Sequence, residues 1–184
     1  MASVLLPLAD GFEEVEAVGL IDVLRRGGIE VRVAFLEEAL VLGANGITIK
    51  ADTDIKNVLT EDFDMILLPG GWGGTYALAE NETVQRLLKE FKAKEKILGA
   101  ICAAPYALKE AGVLGNDYTC YPSVEDEIKQ EGYRSDKKVV IDGNVMTSRG
   151  PGTALCFGLE IVKKFSGEES YQAVKEGMLL DYCN

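Results

Sequence analysis

Cys102 closes the apolar run Ile97-Leu98-Gly99-Ala100-Ile101 and is followed at once by Ala103, Ala104 and Pro105. An apolar strand that ends in a cysteine and gives way to small residues and a proline reads as a sharp strand-to-helix turn. Such a turn lifts one side chain clear of the backbone while the first amides of the new helix point at whatever that side chain attacks. The helix dipole favours thiolate over thiol, so Cys102 is expected to ionise easily and to act as a nucleophile. The competing reading is a small buried core residue, since free cysteine is among the most buried types.

A thiol nucleophile needs a proton acceptor, and histidine, the commonest one, is absent from the chain. Carboxylates are the remaining choice. Asp10-Gly11-Phe12-Glu13-Glu14-Val15-Glu16 places three glutamates just after the first apolar run. Glu13 reads as a helix cap, Glu14 as a solvated group, and Glu16, one turn into the helix, as the candidate partner of the thiol. If Glu16 faces the sheet, carboxyl and thiol raise each other's proton affinity and share a proton. If it faces outward, it is an ordinary surface glutamate.

The loop Pro69-Gly70-Gly71-Trp72-Gly73-Gly74 invites a nucleotide reading, but Tyr76 stands where G-x-G-x-x-G from Gly71 needs glycine, and no G-K-[ST] occurs. Gly70 and Gly71 better suit a close backbone approach, their amides forming an oxyanion pocket with that of Ala103. Arg149, in Ser148-Arg149-Gly150-Pro151-Gly152-Thr153, could neutralise an anion or cap a helix start through its backbone. Tyr121 could donate a hydrogen bond or simply pack.

These groups need elements to position them, and 184 residues suffice for one domain, 1–184, with a core that needs no staples. Short apolar runs alternate with amphipathic segments, the pattern of a mainly parallel sheet with helices on both faces. Strands are expected at Ser3 to Leu8, Ile29 to Leu36, Met65 to Leu68, Ile97 to Ile101 and, briefly, Tyr118 to Tyr121. Hairpins are expected between Leu40 and Ala51, attached to the main sheet, and around Gly143. Helices follow Asp10, whose spacing to Glu13 suits a capping box, and run from Thr75 to Lys94 with a break near Asn81. Further helices cover Ala103 to Ala111, the segment through Leu155 and Phe165, and Glu168 to Met178. The four unusual segments all fall at carboxyl ends of strands, where open parallel sheets bind ligands.

The net charge of −11 argues against a nucleic-acid binder. Cysteines at 102, 120, 156 and 183 form no C-x-x-C pair or zinc spacing, so reduced thiols in a cytoplasmic protein are expected. No run approaches a membrane span, and Val4 to Leu8 lacks the length and basic flank of a signal peptide.

The combination A-D-G-F-E-E-V-E at Ala9 to Glu16, L-P-G-G at Leu68 to Gly71, A-I-C-A-A-P at Ala100 to Pro105 and T-S-R-G-P-G-T at Thr147 to Thr153 resembles the DJ-1/ThiJ/PfpI superfamily, and most closely its DJ-1 and YajL branch. The motifs run in order along essentially the whole chain. The resemblance implies a flavodoxin-like sandwich, a homodimer, a reactive cysteine at Cys102, its partner carboxylate at Glu16, and backbone donors at Gly71 and Ala103. It also implies handling of small dicarbonyls without cofactor, metal or glutathione: a glyoxalase converting methylglyoxal to lactate, extended in some accounts to protein deglycation. A redox sensor or stress chaperone using the same cysteine is the alternative. Two departures from the family pattern stand out. Tyr121 occupies a position where relatives can carry histidine, which removes Cys-His chemistry, and Asn45 falls at or near a hairpin position where some relatives carry an anion-binding arginine. Cys120, beside Tyr121, could resolve an oxidised Cys102, but strand alternation should turn it to the opposite face.

Overall fold

Strand β1 (Ser3–Leu8) is apolar on both faces, as a strand covered from both sides must be. In the computed structural model, which describes residues 1–183, it lies inside a seven-stranded sheet. The other members are β2 (Glu30–Phe35), β5 (Thr53–Asp54), β6 (Met65–Leu68), β7 (Ile97–Ile101), β8 (Val139–Asp142) and β9 (Val145–Ser148), in the order β5-β2-β1-β6-β7-β9-β8. Every neighbouring pair is parallel except the β8/β9 hairpin. The protein therefore has a flavodoxin-like α/β fold.

Alternation along β1 assigns the two cores. Val4, Leu6 and Leu8 face a layer containing Leu20 and Leu24 of α1 (Glu14–Arg26) and Phe157 and Ile161 of α6 (Ala154–Gly177). Leu5 faces the other layer, with Leu78 of α2 (Trp72–Glu80), Leu87, Leu88 and Phe91 of α3 (Glu82–Ala93), and Leu108 of α4 (Pro105–Glu110). Strand order reverses at β1, with β2 on one side and β6 on the other. That reversal opens the crevice in which open sheets of this type hold their sites.

Several expectations need correction. The hairpin of β3 (Leu40–Leu42) and β4 (Thr48–Lys50) forms a separate two-stranded sheet. Helix α2 begins at Trp72 inside the glycine run, with Gly71 as its N-cap. No strand forms at Tyr118 to Tyr121. The amide of Thr119 is taken by the Thr147 hydroxyl at 2.9 Å, and Tyr118 makes a single bridge to Tyr133. A short helix, α5 (Val124–Ile128), follows instead.

The cysteines are not all reduced: Cys156 and Cys183 form a disulfide. A straight helix over the 21 residues from Cys156 to the end of α6 would carry the chain roughly 30 Å away. Gly167, at φ 83° and ψ 178°, kinks α6, and the segment after it returns so that Tyr171 donates to the Cys183 carbonyl at 3.4 Å. The sequence shows the break before Glu168 but not the reach of the returning segment.

Candidate active site

Cys102 stands between β7 and α4 at φ +64°, a left-handed conformation that costs a non-glycine residue about 1–3 kcal/mol unless its surroundings enforce it. They do so from both sides. Its amide donates to the Ser148 carbonyl at 3.0 Å, and its carbonyl accepts from the Tyr121 amide at 2.9 Å. Cys102 is 9 % exposed, and the amides of Gly71 and Ala103 face the sulfur closely enough to favour the thiolate.

Glu16 comes from the opposite side of the crevice. Glu13 caps α1, its carboxylate accepting from the Glu16 amide at 2.7 Å, and the Glu13 amide donates to the Gly70 carbonyl at 2.9 Å. These bonds tie the start of α1 to the loop after β6. The Glu16 side chain is completely buried, with Oε2 accepting from the Gly70 amide at 2.7 Å. Its other oxygen has no hydrogen-bond partner, and the Cys102 thiol lies close enough to the carboxyl to act on its proton affinity. Gly70 is required here by space: a Cβ would lie 2.6 Å from both Cys102 Cβ and Glu16 Oε2. Gly71 is required by conformation, at φ +87°, and a Cβ there would lie 2.4 Å from the Gly11 carbonyl oxygen. The Gly70 amide is therefore spent on Glu16, and Gly71 and Ala103 alone are left to face the reacting sulfur.

Burial pushes the Glu16 carboxyl up to about 7, against the hydrogen bonds from Cys102 and Gly70, which favour its ionised form. The Cys102 thiol moves up as well. Burial comes first and the neighbouring Glu16 charge second, while the Gly71 and Ala103 amides pull the other way. The expectation of an easily ionised thiol thus fails. The six-residue α4 and two amides cannot outweigh desolvation and an adjacent carboxylate. The thiolate forms when Glu16 carries the proton, so the two groups titrate as a pair.

Glu14 is not solvated. It is buried against the hairpin, its carboxylate accepting from the Asn45 amide at 2.6 Å and the Asn45 side chain at 2.8 Å. Asn45 thus holds the hairpin to α1, and Asp10 does the same, accepting from the Leu42 amide at 2.8 Å in place of the expected capping bond. Tyr121 is a half-exposed ring packed on Gly150, whose backbone supports the elbow. Arg149 lies beside Cys120 and Tyr133, where its charge acts on both. Cys120 is fully buried with Ala103, Tyr118 and Val124, and its thiol approaches the Glu125 carboxylate at 3.9 Å. The Ser148 carbonyl and the Gly70 amide, which hold the elbow and the acid, are backbone groups with no side-chain signature. Only their adjacency to the T-S-R-G and L-P-G-G motifs hints at them.

The model of the DJ-1/PfpI family matches residues 2–164. The chain belongs to the DJ-1/PfpI family. Among its DJ-1 relatives, Protein dj-1beta of Drosophila melanogaster is 42% identical over 98% of both chains. The crystal structure of that protein superposes with a TM-score of 0.93 over 97% of each chain. A relative from Caenorhabditis elegans, 38% identical over 97% of this chain and 96% of its own, carries the name glutathione-independent glyoxalase DJR-1.2. The structure of oxidized DJ-1 from Toxoplasma gondii is 34% identical, with a TM-score of 0.92 over 97% of this chain and 98% of that one.

Proposed function

We propose that this DJ-1 family member is a glutathione-independent glyoxalase that converts methylglyoxal to lactate through Cys102 and Glu16. The observation that carries the reading is a completely buried glutamate, anchored on the Gly70 amide and set against a thiol that two backbone N–H groups face. The name of the Caenorhabditis elegans relative points the same way. The Cys102 sulfur adds to the aldehyde carbon as its proton passes to Glu16, and the oxygen of the adduct is held by the Gly71 and Ala103 amides. Glu16 passes that proton to the adduct oxygen, giving a hemithioacetal, then removes the hydrogen from the former aldehyde carbon. The hydroxyl proton moves to the neighbouring ketone oxygen, and Glu16 delivers its proton to that adjacent carbon as the thioester carbonyl forms. The product is a lactoyl thioester on Cys102, which water hydrolyses to lactate and free thiol. Glutathione has no task in this sequence because the protein supplies the thiol.

The working unit in this reading is a homodimer, and the exposed Val15 and Val18 on the outer side of α1 offer apolar surface for it. The decisive experiment is lactate formation from methylglyoxal by purified protein and by its Cys102→Ser variant. Steady turnover lost in the variant supports the proposal, and an inactive wild type removes it. A redox-sensing role is favoured by one observation: a carboxyl with its pKa near 7 can stay protonated and donate to an oxidised sulfur. Client protection that depends on peroxide, without dicarbonyl turnover, would select that role instead.

A further inference from the structure

The Cys156–Cys183 bond takes no part in the chemistry at Cys102, yet both of its ends lead back to the elbow. Cys156 stands three residues after Thr153, whose hydroxyl lies 2.8 Å from that of Ser148. Beyond the bond, the Tyr182 carbonyl accepts from the Lys138 ammonium at 2.5 Å, and the Ser148 hydroxyl donates to the Lys138 carbonyl at 2.7 Å. Ser148 in turn gives its own carbonyl to the Cys102 amide at 3.0 Å. The disulfide therefore closes a ring that runs from Ser148 through Thr153 and Cys156, across the sulfurs to Cys183 and Tyr182, and back through Lys138. The residue at which this ring meets the site is one of the two whose backbone keeps Cys102 left-handed.

The bond itself borders on a cleft. Cys156 and Cys183 are 5 % and 3 % exposed, and both line a cavity of about 350 Å³, a volume in the range of small-molecule sites. Lys137 and Lys138 line it together with Asp136 and Glu160, so the charges balance and an anionic thiolate is not repelled. We propose that this cleft is a thiol–disulfide exchange site for a small monothiol, and that the state of the Cys156–Cys183 bond sets how firmly the Cys102 elbow is held. The thiolate attacks one sulfur, the S–S bond breaks, and the other cysteine leaves as a thiolate that takes up a proton. A second small thiol then resolves the mixed disulfide, so two small thiols become one disulfide while the protein gains two thiols. After that exchange the returning segment keeps the Lys138 contact, the 3.4 Å bond from Tyr171 to the Cys183 carbonyl and the burial of Leu180, while Leu179 and Tyr182 are exposed. A surface segment held by so little opens locally, and each opening takes the Tyr182 carbonyl away from Lys138 and loosens Ser148.

The test combines glutathione, as the monothiol, with hydrogen exchange followed by mass spectrometry. Native oxidised protein placed in a reducing glutathione buffer is expected to form a mixed disulfide at Cys156 or Cys183 and then the dithiol. Exchange of the Cys102 amide should rise at least about fivefold on reduction, the lower end of ordinary coupling between sites, while the amides of β1 stay unchanged. The Cys156→Ser/Cys183→Ser protein should show the reduced-state exchange with no thiol added. In Lys138→Met, which keeps the disulfide but lacks the ammonium that reaches Tyr182, the elbow should exchange alike in both redox states. A bond that glutathione leaves intact in the native protein, but cuts in the same buffer after denaturation, overturns the proposal. So does an elbow whose exchange ignores reduction, a rise of equal size in β1, which marks general destabilisation, or a full redox response in Lys138→Met. None of these readouts uses dicarbonyl turnover, so the exchange site and the glyoxalase reading stand or fall separately.

Discussion

The molecule contains two cysteine–glutamate pairs whose cysteines stand 18 residues apart, and they are built differently. Cys102 and Glu16 meet across the crevice at the carboxyl ends of β1, β6 and β7. Cys120 and Glu125 meet within one loop and the short helix α5. Both thiols are pushed up in pKa, Cys120 to about 12, by burial first and the neighbouring carboxylate second. Thiol basicity therefore does not separate them. What separates them is the acid and the access. Glu16 is fully buried, tied to a backbone amide and brought up to about 7, whereas Glu125 is only half-buried. Cys102 sits on a left-handed elbow with two amides on its sulfur and some solvent contact, while Cys120 is 0 % exposed inside a cluster that includes Tyr118 and Val124. A thiol beside a carboxylate is common chemistry. A site needs the acid desolvated and the sulfur reachable.

Paired substitutions break the comparison most sharply. Glu16→Gln keeps size but cannot accept and return a proton, so dicarbonyl turnover should fall by about two to four orders of magnitude. Glu125→Gln should change it by less than about twofold. Equal losses in the two variants would erase the distinction.

Stability against pH gives the next largest effect. A carboxyl whose folded pKa exceeds its unfolded value binds its proton more tightly when folded. Its contribution is therefore complete below about 4.5 and lost as pH rises to about 7. The shift corresponds to about 3 kcal/mol. Denaturant titrations at pH 4.5 and pH 8 should show that decline in the wild type and in Glu125→Gln. The decline should be absent from Glu16→Gln, and a decline that persists there would mean that Glu16 ionises freely in the folded protein.

Alkylation sharpens the contrast between the thiols. Iodoacetamide should label Cys102 at least about ten times faster than Cys120, because access differs even where basicity does not. Cys156 and Cys183 should react only after reduction of their disulfide. The Cys102 rate should change slope near pH 7 as Glu16 titrates, and that inflection should vanish in Glu16→Gln. Peptide mapping that found Cys120 labelled first would reverse the assignment of the site. The smallest expected effect is none: chelators should leave turnover unchanged, as the described residues include no group of three or more His, Cys, Asp and Glu able to hold a metal. Stoichiometric metal whose removal stopped turnover would refute this.

The sequence by itself determined the alternation of strands and helices, the strand-to-helix turn at Cys102, and the glycine requirement after β6. Apolar periodicity, small residues and turn chemistry act over a few neighbouring positions, so they can be read locally. It also narrowed the proton acceptor to a carboxylate, since the chain lacks histidine. The sequence already singled out Glu16 as the candidate partner of the thiol, and tertiary structure supplied its burial. Glu14 and Glu16 stand two residues apart on α1, and both are buried, one against Asn45 and the other against Gly70, 54 residues away. Tertiary structure alone decided the thiol's basicity, because desolvation and the charge across the crevice outweigh the short helix that local reading emphasised. The Cys156–Cys183 bond waited on the kink at Gly167, and the failed strand at Tyr118 on the competing hydroxyl of Thr147. In each case the deciding partner lies far along the chain, and its distance is set by packing that no local pattern encodes.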